Sequence, residues 1–204
     1  MNYIIENIKN YNDPEMVCRL LEKLVTFSCN IDKYVNVLEL PNDIRILELV
    51  CLYDINGKYE IMYRIINKKI VPNQKCFKNL MKYGKEYITN KKNYDECNSF
   101  LNEMVQLLVE GGYELTEDDV CLASKSFIVL ENCYNIEIND KIKSCYSKLM
   151  IELFGIKKCI NLIKKIISVY DVHPNQQCLM KSTISNNKVG KKFISCFYPN
   201  VFSS

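Results

Sequence analysis

The chain has 204 residues, of which 48% are apolar and 25% charged, and a net charge of +3. This is the balance of an ordinary globular protein of one domain or one continuous array. So small a charge gives no argument by itself for a nucleic-acid or membrane surface, and 6 glycines with 5 prolines disfavour a turn-rich β-sandwich.

In chain order, Asp13-Pro14-Glu15 reads as a helix start, with a cap, a proline at the first helical position and an acid in the first turn. Val17, Leu20, Leu21, Leu24 and Val25 follow at helical spacing. Pro41-Asn42-Asp43 predicts a second start leading to Ile44, Leu47 and Cys51, with a turn at Asn56-Gly57. Ile61, Met62, Ile65 and Ile66 mark a short helix. Pro72 then opens another as its first helical residue, burying Cys76, Phe77, Leu80 and Met81. Leu101, Met104, Val105 and Leu108 form a stripe closed by Gly111-Gly112. Thr116 and Asp119 make an approximate capping box, from which Val120, Ala123, Phe127 and Leu130 continue one helix. Asn139 caps the helix of Ile142, Cys145, Leu149 and Leu153, which Gly155 interrupts. Ile160, Ile163 and Ile167 precede a last start at Pro174, with Cys178 and Leu179 on its buried side. Asn186, Asn187 and Gly190 read as a loop before an apolar tail from Phe193 to Phe202.

These readings sum to an all-α fold: an irregular array of stacked helical hairpins with about ten helices. Residues 1–187 are expected to form a single repeat-like domain and 188–204 a C-terminal loop and apolar tail. No apolar run reaches membrane-span length; the most apolar stretch, 160–167, is broken by Lys164 and Lys165. Residues 1–14 carry Glu6 and Asp13 and lack the apolar segment of a secretory signal. The 11 cysteines are odd in number, contain no Cys-x-x-Cys, and fall at helical core positions. They read as reduced core residues of an intracellular, cytoplasmic protein.

One phrase recurs. Ile70-Val71-Pro72-Asn73-Gln74-Lys75-Cys76-Phe77 is echoed by Val172-His173-Pro174-Asn175-Gln176-Gln177-Cys178-Leu179. A looser copy is Leu115-Thr116-Glu117-Asp118-Asp119-Val120-Cys121-Leu122. The copies are unevenly spaced, 45 residues from Pro72 to Glu117 and 57 from Glu117 to Pro174, which makes a degenerate array rather than a regular solenoid. The stretch from Gln106 to Ala123 is similar to a degenerate ankyrin unit: a helix, a glycine turn, then a second helix with alanine. It lacks the Thr-Pro-Leu-His core. The Pro-Asn-Gln phrase also resembles the boundary between pentatricopeptide units. With the Asn/Ile/Lys-rich composition it resembles repeat proteins of large DNA viruses of protists. The likeness covers roughly residues 58–187. It implies a viral interaction role, as an adaptor or structural component, and brings no catalytic residue.

The single histidine, His173, rules out the two-histidine zinc protease motif and the finger with two cysteines and two histidines. At a helix start it reads as a cap or surface residue rather than half of a Cys-His pair. No Walker loop, dinucleotide fingerprint or nucleophile elbow is present. Glu114, Glu117, Asp118 and Asp119 gather at one helix start, where negative charge is favourable without any metal. Lys68, Lys69, Lys75, Lys78, Lys82 and Lys85 lie among Tyr83 and Tyr87, a pattern that binds single-stranded RNA or simply makes a solvated helix face.

The expectation is therefore a non-enzymatic component without cofactor, metal or membrane, binding another protein through its turns and helix starts: Lys68, Lys69, Lys75, Glu114, Glu117, Asp118, His173, Asn175 and Gln177. Single-stranded RNA binding is the alternative. Its code requires even repeats of about 35 residues, which the uneven spacing opposes.

Overall fold

A computed structural model describes residues 14–26, 42–55, 57–91, 93–132, 135–156 and 159–197. Asp13, Pro41, Asn56, the first thirteen residues and the tail beyond Phe197 lie outside the described residues, as do the side chains of Leu21, Leu24 and Val25.

Among the described residues the fold is all-α: ten helices and no strand. They are α1 (Pro14–Thr26), α2 (Ile44–Leu52), α3 (Lys58–Ile66), α4 (Gln74–Lys91), α5 (Tyr94–Glu110), α6 (Glu117–Lys125), α7 (Asp140–Phe154), α8 (Ile160–Tyr170), α9 (Gln176–Ile184) and α10 (Lys188–Ser195). None is long and apolar enough to cross a membrane. The array expected over 1–187 takes the form of two compact units. The first comprises residues 1–87 with 101–114, the second 88–100 with 115–204.

In the first unit α2 packs between α1 and α3. Three polar side chains tie α4 to α2 at Glu48. Asn73 reaches its carboxylate at 2.8 Å, Lys75 at 2.7 Å, and Asn79 donates to its carbonyl at 2.9 Å. Met62, Ile65, Phe77, Leu80, Met104 and Leu108 fill the core. Phe77 stacks on Tyr113 at 5.7 Å between ring centroids. Gly112 takes a left-handed φ of 98° to end α5. A Cβ at Gly111 would stand 2.9 Å from Ile66 and 3.0 Å from Pro72, so the chain passes too closely there for a side chain.

In the second unit α6, α7 and α9 lie side by side, with α8 against α7 and α10 against α9. α7–α8 and α9–α10 are thus two stacked hairpins. α6 packs on α7 across the irregular segment that joins them. The spacing of Val120, Ala123, Phe127 and Leu130 predicts one helix, but α6 stops at Lys125 and Phe127 turns left-handed at φ 64°. Residues 128–130 run through the core at 0% exposure. A buried irregular segment needs partners for its backbone polar groups, and side chains supply them. Asn98 accepts from the Val129 N–H at 2.8 Å and donates to its carbonyl at 3.2 Å. The Tyr146 hydroxyl accepts from Leu130 N–H and lies 3.3 Å from the Ile128 carbonyl. The Tyr170 hydroxyl donates to the Leu130 carbonyl at 2.8 Å, its ring 3.6 Å from that of Tyr146.

The helix starts correct one register. Pro72 and Pro174 stand one residue before the cap rather than at the first helical position. The caps are the asparagines of the phrase: Asn73 accepts from Cys76 N–H at 3.0 Å and Asn175 from Cys178 N–H at 3.1 Å. Thr116 and Asp119 close a complete capping box, and Asn139 caps α7 through Ile142 N–H. The expected loop at 186–190 is instead a helix start. Asn187 caps α10 at Gly190 N–H while its amide donates to the Phe154 and Ile156 carbonyls. Residues 188–195 are accordingly helical rather than loop. Leu179, expected in the core, is half-buried.

Candidate functional site

The candidate binding residues separate between the units. Lys68, Lys69, Lys75 and Glu114 fall in the first, and Glu117, Asp118, His173, Asn175 and Gln177 in the second. Lys68 and Lys69 are exposed on the turn after α3, where Lys69 adopts a left-handed φ of 64°. Lys75 is tied to the largely buried Glu48, and Glu114 is exposed.

The second unit brings its candidates into two neighbouring groups. Lys141, in the first turn of α7, reaches Glu117 at 2.7 Å and Asp118 at 2.8 Å on α6. Two residues on and round the helix, Lys143 reaches Asp171 at 3.3 Å, and His173 stands 3.3 Å from the other oxygen of Asp171. The starts of α6 and α7 and the turn from α8 into α9 thereby carry exposed charge pairs. Hydrogen bonds from Lys141 hold the carboxyls of Glu117 and Asp118 below their ordinary range, and those carboxylates hold the Lys141 ammonium above its own. Lys143, with His173 behind it, does the same for Asp171. Asn175 faces inward as a cap, and Gln177 is exposed beside it.

Two groupings escape the sequence reading. Lys58, at the start of α3, is 1% exposed. Its ammonium donates to the Cys51 and Tyr53 carbonyls at 2.9 Å each and sits 3.3 Å above the Tyr83 ring. Burial pushes it down to about 7 against the pull of Cys51 and Asp54. The Tyr83 hydroxyl donates to Asp54 at 3.2 Å. This ring is buried and has a lysine on its face, so it offers no platform for a base beside the α4 lysines.

The other grouping is cysteine. The nine cysteines among the described residues are free thiols, and four of them are neighbours in pairs that affect one another's titration. Burial first, and then the neighbouring Cys76, push the Cys51 thiol well up. Burial first, and then the neighbouring Cys145, push the Cys121 thiol up to about 12. Among the described residues no three His, Cys, Asp or Glu side chains gather as a metal site. A cleft of about 570 Å³ in the second unit is lined by Asp95, Asn161, Asn187 and Lys188. There Asp95 Oδ2 accepts from Asn161 at 2.8 Å while its buried Oδ1 has no partner.

Comparison with known protein families, with curated proteins and with solved structures finds no match to this chain.

Proposed function

We propose that the protein is a non-catalytic interaction component, an adaptor or structural part, that binds another protein through the charged helix starts in its second unit. The observation that carries this reading is two exposed charge groups side by side on α7, Lys141 with Glu117 and Asp118, and Lys143 with Asp171, beside which His173 stands. The apolar face of α7 is taken by its neighbours, so what its first turn offers a partner along this edge is charge. Exposed ion pairs contribute little to folding, and their members exchange readily for groups on a partner. Alternating signs within a few side chains suit a protein surface of complementary pattern better than a uniform polyanion. The likeness of residues 106–123 to a degenerate ankyrin unit motivates this reading, and viral origin is part of the same proposal.

The test reverses the charge at Asp118 and adds a negative charge at His173, Asp118→Lys with His173→Glu, side chains that are 80% and 59% exposed. Cross-linking and recovery of the full chain from its native source should give a stoichiometric protein partner with the wild type. The doubly substituted chain should lose it while keeping its helical circular-dichroism spectrum. Undiminished recovery with that variant would place the surface elsewhere, and recovery of RNA that dissociates at high salt would replace the reading with RNA binding. Lys75 is unsuited to such a test, because reversing it sets a second negative charge against the poorly solvated Glu48.

A further inference from the structure

We propose that the outer face of the α9–α10 hairpin binds the surface of an anionic phospholipid bilayer, its aliphatic side chains entering the interface and its lysines meeting the headgroups. The first observation is charge. Residues 172–204 hold Lys181, Lys188, Lys191 and Lys192 and no aspartate or glutamate, while residues 1–171 hold 23 basic against 24 acidic side chains. The total of +3 thus conceals a chain that is near neutral through α8 and of one sign from α9 onward, an asymmetry that marks anionic partners. The second is apolar exposure. Eight large apolar side chains stand exposed among the described residues, and half of them fall within 180–197: Met180 at 58%, Ile184 at 81%, Val189 at 60% and Phe197 at 38%. A hairpin that ends a stack in water carries a polar outer face; this one does not.

Helical spacing gathers these groups on one side. On α9 Cys178 and Ser182 are buried, which leaves Met180 and Ile184, four residues apart, facing outward. On α10 Gly190 and Ile194 are buried, and Lys188, Val189 and Lys192 are exposed. The turn between the helices is clamped. Asn187 accepts from Gly190 N–H and donates to the Phe154 and Ile156 carbonyls at 3.0 and 3.1 Å. A Cβ at Gly190 would stand 2.9 Å from the Asn187 amide and 3.2 Å from the Phe154 ring. Ile184 and Val189 therefore protrude from a fixed tip. Two carboxylates come near it, and both are engaged: Glu152 pairs with Lys181 at 2.8 Å, and Asp95, in the cleft that Lys188 also lines, accepts from Asn161.

This face shares no residue with the charge pairs on α7, whose mixed signs suit a protein. Here the sign is uniform. Single-stranded nucleic acid would answer the lysines and leave Met180, Ile184 and Val189 in water. An anionic bilayer takes both. Aliphatic chains enter the headgroup boundary by roughly 5–10 Å, and lysine stems carry their ammonium groups back to the phosphates. Neither the lack of a membrane-spanning helix nor the small total charge bears on a hairpin that lies on a bilayer.

The test is flotation of the full chain with phosphatidylcholine vesicles that are about one-third phosphatidylserine, the kind of negative surface that attracts basic segments. The chain should float with them, come off as salt is raised, and not float with phosphatidylcholine alone. Lys188→Gln with Lys192→Gln should weaken the partition roughly 30-fold, about fivefold for each lysine at a charged surface. Ile184→Asp with Val189→Asp should abolish flotation and keep the helical spectrum, since both sites are open to solvent; Ile184→Ser with Val189→Ser takes their place if the aspartates disturb the helices. Lys78→Gln with Lys82→Gln, which removes the same charge from exposed positions on α4, should change little. Equal flotation on neutral vesicles, an equal loss in the α4 variant, or flotation that survives the substitutions at Ile184 and Val189 would overturn the proposal. So would no flotation at all, and cross-linking of Lys188 to an acidic protein or an oligonucleotide would then name the class of partner instead.

Discussion

The two units use the same devices under opposite solvent conditions. Each sets a cysteine of one helix near a cysteine of a later one, Cys51 with Cys76 and Cys121 with Cys145, and each has a lysine bridging two acceptors. In the first unit both thiols are sealed and Lys58 is buried between two carbonyls and a tyrosine ring. In the second, one thiol opens onto a cavity and Lys141 stands in solvent between two carboxylates. The lysines respond in opposite directions, Lys58 falling to about 7 and Lys141 rising. Desolvation decides the first and paired charge the second. The number of partners is the same; access to water makes one cluster a structural plug and the other an available surface.

The largest effect expected from this contrast comes from opening the sealed side. Phe77 is 0% exposed and stacks on Tyr113 next to Cys76 in sequence. Phe77→Ala should destabilise the protein by roughly 3–5 kcal/mol, the range for truncating a buried aromatic. In denaturant titrations a loss below about 1 kcal/mol would show that this core is not tightly packed. In the same variant Cys76 should become alkylated faster than in the wild type. If packing breaks and Cys76 stays unreactive, something other than burial protects the thiol.

Lys58 gives the next effect. Its folded value lies below its ordinary 10.5, at about 7, so between those limits the unfolded chain binds the proton and the folded chain releases it. Stability therefore rises with pH from about 7 to about 10.5 and is flat in this group outside that window. Asp54, Cys51 and Tyr83 face the same ammonium. Lys58→Met should remove the rise. It should also leave the Cys51 and Tyr53 carbonyls without their donor, at about 1–3 kcal/mol for unsatisfied buried groups. Unfolding measured at several pH values in both proteins checks this; a slope unchanged by the substitution would mean that the ammonium is not the group that titrates.

What the sequence made legible follows the range of the interactions. Asn73, Thr116, Asn139 and Asn175 bond N–H groups three residues away, so their helix starts are written locally. The proline register slipped because proline before the cap and proline after it leave nearly the same signature. Longer-range partners stayed hidden. Phe127 and Leu130 continue the α6 period, yet Asn98, Tyr146 and Tyr170 claim the backbone of 128–130 from 16 to 40 residues away. Lysine at 58 reads as surface, and only the fold places a tyrosine ring and two carbonyls around it. Of the candidate surface, Glu117, Asp118 and His173 were legible as charged helix starts. Lys141, Lys143 and Asp171, which join them, were not, because their role exists only once α7 lies beside α6. Cys145 could not be told from core cysteines, since helical spacing assigns a face but not a cavity.

The smallest effect concerns Lys141 and tests whether the exposed cluster is as loosely held as the comparison requires. Its hydrogen bonds keep Glu117 and Asp118 below their ordinary values of 4.5 and 3.8. For carboxyls held low, the stabilising contribution is present above those ordinary values and is lost as the pH falls through the folded ones; for Lys141, held high, it is lost only as the pH rises past 10.5. At neutral pH the pairing is thus complete, yet all three groups are bathed in water, where ion pairs are screened and weak. Lys141→Met should leave the thermal midpoint at pH 7 nearly unchanged while the Glu117 and Asp118 carboxyl resonances titrate at higher pH than in the wild type. Added salt should shift the wild-type carboxyls in the same direction. If the substitution instead lowers the midpoint as much as Lys58→Met does, Lys141 is holding α7 to α6 rather than decorating their edge. The second unit's charges would then be structural in the way the first unit's are.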